Sequence, residues 1–75
     1  MAIRRLFARN LRDLRTERGL SQEALAHLAG IDRTYVSALE REIYSVSIDT
    51  IEKLAAALGA PPDEFLRGIS EARTD

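Results

Sequence analysis

Between Ala29 and Asp32 the chain ends one helix and begins another within three residues, and this constrains the fold more than any other feature. Gly30 can adopt the positive φ that terminates a helix, and Asp32 offers a side-chain acceptor to the free N–H groups that begin the next one. The same punctuation recurs along the chain. Gly19 follows Arg18 as a stop and Ser21 caps a short second helix with Glu23 in its first turn, ending by Ala29. Asp32 caps a third helix running through Val36 and Leu39 to about Arg41. The β-branched and serine content then rises from Glu42 to Ser47, which predicts a loop until Ser47 caps a helix over Ile48 to Leu58, closed by Gly59.

Hydrophobic periodicity completes the pattern. On a wheel of residues 1–18, Leu6, Ile3, Leu14, Phe7 and Leu11 form one stripe, while Arg5, Arg9 and Arg12 share the opposite side. Ile48, Ile51, Leu54, Ala55 and Leu58 give the fourth helix its core stripe, and Leu25, Ala26, Leu28, Val36 and Leu39 read as the core between the second and third. Pro61-Pro62-Asp63-Glu64 has the proline start and acidic first turn of a fifth helix, about 62–70, carrying Phe65, Leu66 and Ile69; residues 71–75 read as a frayed tail. The expectation is an all-α, five-helix single domain over 1–75, with no strand pattern and no internal repeat.

At 75 residues without cysteine, the chain has room for one core and no disulfide to reinforce it. Stability of roughly 4 to 11 kcal/mol follows from that length. No apolar signal core follows the first residues, and the longest apolar run, 54–58, is far short of the ~18 residues a span needs. A cytoplasmic protein, acting alongside the nucleoid, is expected.

The net charge of -1 argues against a nucleic-acid partner, but it conceals a gradient. Residues 1–18 hold six Arg against Asp13 and Glu17; residues 42–75 hold three basic groups against seven acids. Local potential, not the total, attracts a polyanion, so a basic binding surface and an ordinary solvated one are both compatible with this distribution. Catalysis finds little support. His27 is the sole histidine, no metal-ligand spacing or Gly-rich phosphate loop occurs, and Asp63 and Glu64 suit a helix start better than an acid/base pair. No metal and no cofactor are expected.

The third helix, about nine residues or ~13 Å long, fits a DNA major groove about 12 Å wide with its N-terminal residues nearest the bases. Arg33 and Thr34 occupy that end, and Ser37 lies one turn on. Arginine can donate two hydrogen bonds to guanine O6 and N7, and threonine offers a hydroxyl and a methyl. The plain alternative makes Arg33 an exposed side chain beside Asp32. Gln22, in the first turn of the second helix, is suited to a phosphate or to bulk water. Arg41, Tyr44, Ser45 and Ser47 can donate to the phosphates flanking a groove.

Gly19-Leu20-Ser21-Gln22-Glu23-Ala24-Leu25-Ala26 and Ala29-Gly30-Ile31-Asp32-Arg33-Thr34-Tyr35-Val36-Ser37-Ala38-Leu39-Glu40-Arg41 resemble the helix-turn-helix of the phage repressor (Cro and C1, XRE-type) superfamily. The likeness extends from Leu11 through Gly59, and Asp-Arg-Thr-Tyr-Val-Ser looks most like small stand-alone regulators such as restriction-modification controller proteins. The resemblance implies a lambda-repressor-like fold and a sequence-specific transcriptional regulator of double-stranded DNA. It gives Gln22 a double role, touching the DNA backbone and bracing the first residue of the recognition helix. It implies a structural, partly buried Arg15–Glu40 pair. It also implies a homodimer on a near-palindromic operator, with half-sites about one turn, ~34 Å, apart, that blocks or recruits RNA polymerase. Leu58, Phe65, Leu66 and Ile69 are the candidate dimer surface; the same side chains could instead complete the monomer core. The chain departs from the family after its Glu-Arg pair, where a glycine and a basic or polar loop give way to Glu42-Ile43-Tyr44-Ser45-Val46. From a different class, the chain could be a protein-interaction module, an antitoxin-like subunit or adaptor that grips a protein with its acidic helices.

Overall fold

The computed structural model describes residues 3–68. Four α-helices, α1 (Ile3–Glu17), α2 (Gln22–Ala29), α3 (Arg33–Glu40) and α4 (Ile48–Leu58), precede a 3-10 turn at Pro62–Leu66, and no strand occurs among the described residues. The expected caps form as local chemistry dictates. Ser21 Oγ accepts from Ala24 N at 3.0 Å, Asp32 Oδ1 from Thr34 N at 2.8 Å and Ser47 Oγ from Thr50 N at 3.0 Å.

All four helices close with the same pair of backbone bonds. Beyond α1, α2 and α4 the N–H groups of Leu20, Ile31 and Ala60 reach back to the carbonyls of Arg15, Ala26 and Ala55, with the intervening glycine left-handed. Beyond α3, Ile43 N donates to Ala38 O and Glu42 N to Leu39 O, with Glu42 in the left-handed position at φ 63°. Glu42 stands where the other three ends have glycine.

The fifth helix is shorter and tighter than expected. Instead of an α-helix over 62–70, the chain makes one 3-10 turn over Pro62–Leu66 and leaves it in extended conformation at Arg67. Pro61 supplies no side-chain cap, and extended Arg67 followed by Gly68 at φ 89° ends the turn before an α-helix can propagate. Ile69 and the tail at 71–75 lie outside the described residues.

α1 packs on α3 and on the 3-10 turn, and α2 packs on α3 and α4. Phe7, Leu11, Leu14, Leu25, Val36, Leu39, Leu54, Leu58 and Phe65 meet in one core, with the rings of Phe7 and Phe65 tilted at 5.1 Å. Two expected dimer residues are therefore core residues. Leu58 is 4% and Phe65 0% exposed, because the turn folds back under α1.

Two expected core residues are exposed. Leu28 is 58% exposed, lying roughly 100° round α2 from the Leu25, Ala26 and Ala29 face. Ile48 is 84% exposed as the first residue of α4. Helical side chains tilt toward the N-terminus, so a first-turn residue overhangs the end of the packed body. Ile3 is exposed in the same position on α1.

A polar residue enters the core unannounced. Asn10 is buried on the apolar side of α1, and its Nδ2 donates to Phe65 O at 2.8 Å and Arg67 O at 3.1 Å. It satisfies carbonyls that the short 3-10 turn leaves without helical partners. At the opposite end of α1, Arg18 Nε donates to Leu58 O and Nη1 to Leu14 O, capping two helix C-termini with one guanidinium.

Candidate nucleic-acid interface

α3 presents one polar face. At 100° per residue Arg33, Thr34, Ser37 and Arg41 fall within an arc of about 100°, while Val36 and Leu39 point to the core. Arg33, Thr34 and Arg41 are exposed and Ser37 is half-buried. Asp32 sets the start of this face. Its carboxylate accepts from both the backbone N–H and the hydroxyl of Thr34, the latter at 2.6 Å, and these bonds hold its pKa below the usual aspartate value. The Thr34 proton is thereby committed to Asp32, leaving the methyl and an oxygen lone pair facing outward.

Beneath this face lies a buried ionic hub. Glu40, with its side chain 1% exposed, receives Arg15 in a bidentate pair, Nε to Oε2 at 2.7 Å and Nη2 to Oε1 at 3.0 Å. Gln22 Nε2 adds a hydrogen bond to Oε1 at 3.0 Å, and Arg12 Nε stands 3.6 Å away. Arg15 Nη1 also donates to Leu20 O, so α1, the α1–α2 turn, α2 and α3 converge on one carboxylate. Burial acting alone would push the Glu40 pKa up; the hydrogen bonds from Arg15 and Gln22 and the charges of Arg15 and Arg12 outweigh it and hold the group below its ordinary value. The hydrogen bond to Glu40 raises the Arg15 pKa against a smaller desolvation effect. Gln22, the first residue of α2, makes its hydrogen bond to Glu40, the last residue of α3, and none to Arg33, the first, so the contact that the resemblance implied is not the one it makes.

The loop after α3 is anchored three ways. Tyr44 lies against Tyr35 with ring centroids 6.3 Å apart, Arg5 pairs with Glu42 at 3.7 Å, and Arg4 Nη2 donates to Ser45 Oγ at 2.8 Å. Tyr44 and Ser45 are exposed. Ser47 is exposed, but its hydroxyl is engaged as the N-cap of α4, accepting from Thr50 N and donating to Thr50 Oγ1 at 2.9 Å. Of the remaining dimer candidates, Leu66 is 37% exposed beside Ile3 and Ile51. Among the described residues no three His, Asp or Glu side chains gather as a metal site would, and no helix is long and apolar enough to cross a membrane.

The sequence profile of the helix-turn-helix family matches residues 11–65, which span the hub, α2, α3 and the anchored loop. The chain belongs to that family. Among its helix-turn-helix relatives, a Neisseria meningitidis protein described as a hypothetical transcription factor is 46% identical over 72 residues, covering 87% of this chain and 68% of its own length. Control protein C.BamHI of Bacillus amyloliquefaciens is 43% identical over 65 residues, covering 85% of this chain and 80% of that protein. The crystal structure of the restriction-modification controller protein C.AhdI from Aeromonas hydrophila superposes with a TM-score of 0.83 at 49% identity, over 87% of this chain and 98% of that one. The expected similarity to small stand-alone regulators thus holds along most of the chain.

Of the hub, Arg15, Glu40 and Gln22 were singled out from the sequence, Gln22 for a different contact; Arg12 and the loop anchor Arg5 were placed only on the polar side of α1, and Arg4 was not singled out. Asn10 did leave a trace: it lies three residues after Phe7 and four before Leu14, inside the apolar stripe of α1.

Proposed function

We propose that this helix-turn-helix protein is a non-enzymatic, sequence-specific DNA-binding transcriptional regulator that acts as a homodimer on a near-palindromic operator. The observation that carries this function is the polar face of α3, led by exposed Arg33 and Thr34 and held from below by the Glu40 hub. A helix of 8 residues is ~12 Å long and enters a major groove end-on or lengthwise, with Arg33 as the guanine-reading donor and Thr34 offering its methyl to thymine. Ser37 and Arg41 continue the face, and Gln22, Tyr44 and Ser45 border it as phosphate contacts. Ser47 serves this surface by fixing the start of α4.

One such helix reads too few base pairs to select a genomic site, which is why two copies are required. With Leu58 and Phe65 in the core, the apolar surface offered to a second protomer among the described residues centres on Leu66 with Ile3 and, one turn before Ile51, Ile48. The operator position relative to RNA polymerase decides between blocking and recruitment. The relatives named as a transcription factor and as control proteins support this function.

In vitro selection of bound duplexes tests it, since the recovered sequences report affinity, symmetry and half-site spacing together. A twofold-symmetric consensus is expected. Absence of binding even at low salt would instead favour a protein-interaction module, and monomers in sedimentation with intact operator binding would refute the dimer.

A further inference from the structure

The loop that follows the recognition face has no cation of its own. Residues 42–47 are Glu-Ile-Tyr-Ser-Val-Ser, so a phosphate lying against them would meet hydroxyls and one carboxylate. The fold changes this. Arg4, in the first turn of α1, crosses 41 positions of sequence to place its guanidinium on Ser45 Oγ at 2.8 Å, at the exposed surface of the loop. Arg5 beside it sits 3.7 Å from Glu42 and offsets the one negative charge there. The loop is held against α3 by the Tyr35–Tyr44 contact and leaves α3 directly after Arg41, the last residue of the exposed stripe.

We propose that Arg4 is a DNA phosphate contact, supplying from α1 the positive charge that the α3–α4 loop lacks, with Ser45 as the side chain that orients it. This rests on the DNA-binding function proposed above. A guanidinium carries five N–H donors in a planar fork, and the bond to Ser45 engages one of them, leaving donors for a bidentate grip on a phosphate. No carboxylate of the described residues pairs with Arg4, whereas Arg5, Arg12, Arg15, Arg18 and Arg67 all have acidic partners. The basic character of α1 thus reaches DNA at the loop, and the acidic C-terminal half remains outside the contact.

The test is the salt dependence of binding by the full chain, using the duplex recovered by selection and a scrambled duplex of equal length. Each phosphate contact contributes about 0.9 to the slope of log K against log salt. Arg4→Ala and Arg4→Gln are each expected to reduce that slope by about 0.9 per bound protomer on both duplexes, with the selected consensus unchanged. Arg4→Lys is expected to keep the slope. Neither the alanine nor the glutamine variant carries the charge, and a purely structural role for Arg4 would weaken binding without changing the slope, a result that would overturn the proposal. Slopes identical in all variants, with binding preserved, would overturn it as well. If the unaltered chain shows no salt-dependent binding to either duplex, the DNA-binding function itself fails, a result distinct from an unchanged slope.

Discussion

Glu42→Gly is expected to stabilise the protein, although it deletes a side chain that makes an ion pair. Glu42 occupies the left-handed position that closes α3, at φ 63°, with its N–H and that of Ile43 bonded back to Leu39 and Ala38. A side chain bearing Cβ is disfavoured there by roughly 1–2 kcal/mol, because Cβ crowds the following carbonyl oxygen. Glycine removes that strain but widens the unfolded ensemble, a cost of about 0.4–1 kcal/mol. It also loses the 3.7 Å contact with Arg5, an exposed pair contributing at most a few tenths of the ~1 kcal/mol upper range for such bridges. The net gain over Glu42 is about 0.5 kcal/mol. Glu42→Ala isolates the strain, since it loses the same ion pair and keeps the Cβ. Glycine should therefore exceed alanine by about 1 kcal/mol, which for a chain of 75 residues is a difference in melting temperature of about 4–8 °C. Thermal denaturation followed by far-ultraviolet circular dichroism measures it, with urea titration as a check. If the alanine and glycine variants melt together, the left-handed conformation carries no more strain than glycine's unfolded-state cost of about 0.4–1 kcal/mol, and the reasoning fails.

The other expectations concern the hub, the buried amide and the reading helix. Arg15→Ala leaves the Glu40 carboxylate buried with only Gln22 and Arg12 beside it; a loss of about 3 kcal/mol is expected in urea denaturation, and an unaltered midpoint contradicts the hub's structural role. Because the folded pKa of Glu40 lies below its unfolded value, its stabilisation is complete above the ordinary glutamate range and drains as pH falls through the lower folded value. Melting curves of the unaltered chain and Glu40→Gln should therefore converge from about pH 4 downward, and a constant gap would be inconsistent with that shift. Asn10→Ala strands the carbonyls of Phe65 and Arg67 and should cost about 1–3 kcal/mol, read as faster hydrogen exchange at the 3-10 turn as well as a lower midpoint. Arg33→Ala should relax base preference at one operator position at a cost of roughly 1–3 kcal/mol, and an unchanged selected consensus removes it from base reading.

Helix starts and stops were legible in the residues because they depend on bonds spanning two to five positions. Ser21, Asp32 and Ser47 cap whatever follows them, and Gly30 and Gly59 end whatever precedes them, irrespective of the remaining chain. The Arg15–Glu40 pairing was legible only through likeness to a family, because nothing local to either residue names the other. The apolar stripes already marked Leu11, Leu14, Leu25, Val36, Leu39 and Leu54 for the core, and tertiary packing decided only the side chains with two possible fates or at element ends. Leu58 and Phe65 went to the core and Ile48 and Leu28 to the surface, since helical period fixes relative angles on one helix but not where the neighbouring helices lie. It likewise set the contacts that cross 41 and 55 positions, Arg4 to Ser45 and Asn10 to Phe65. Such contacts arise when the core closes and brings distant backbone into reach, and no pattern of neighbouring residues encodes that distance.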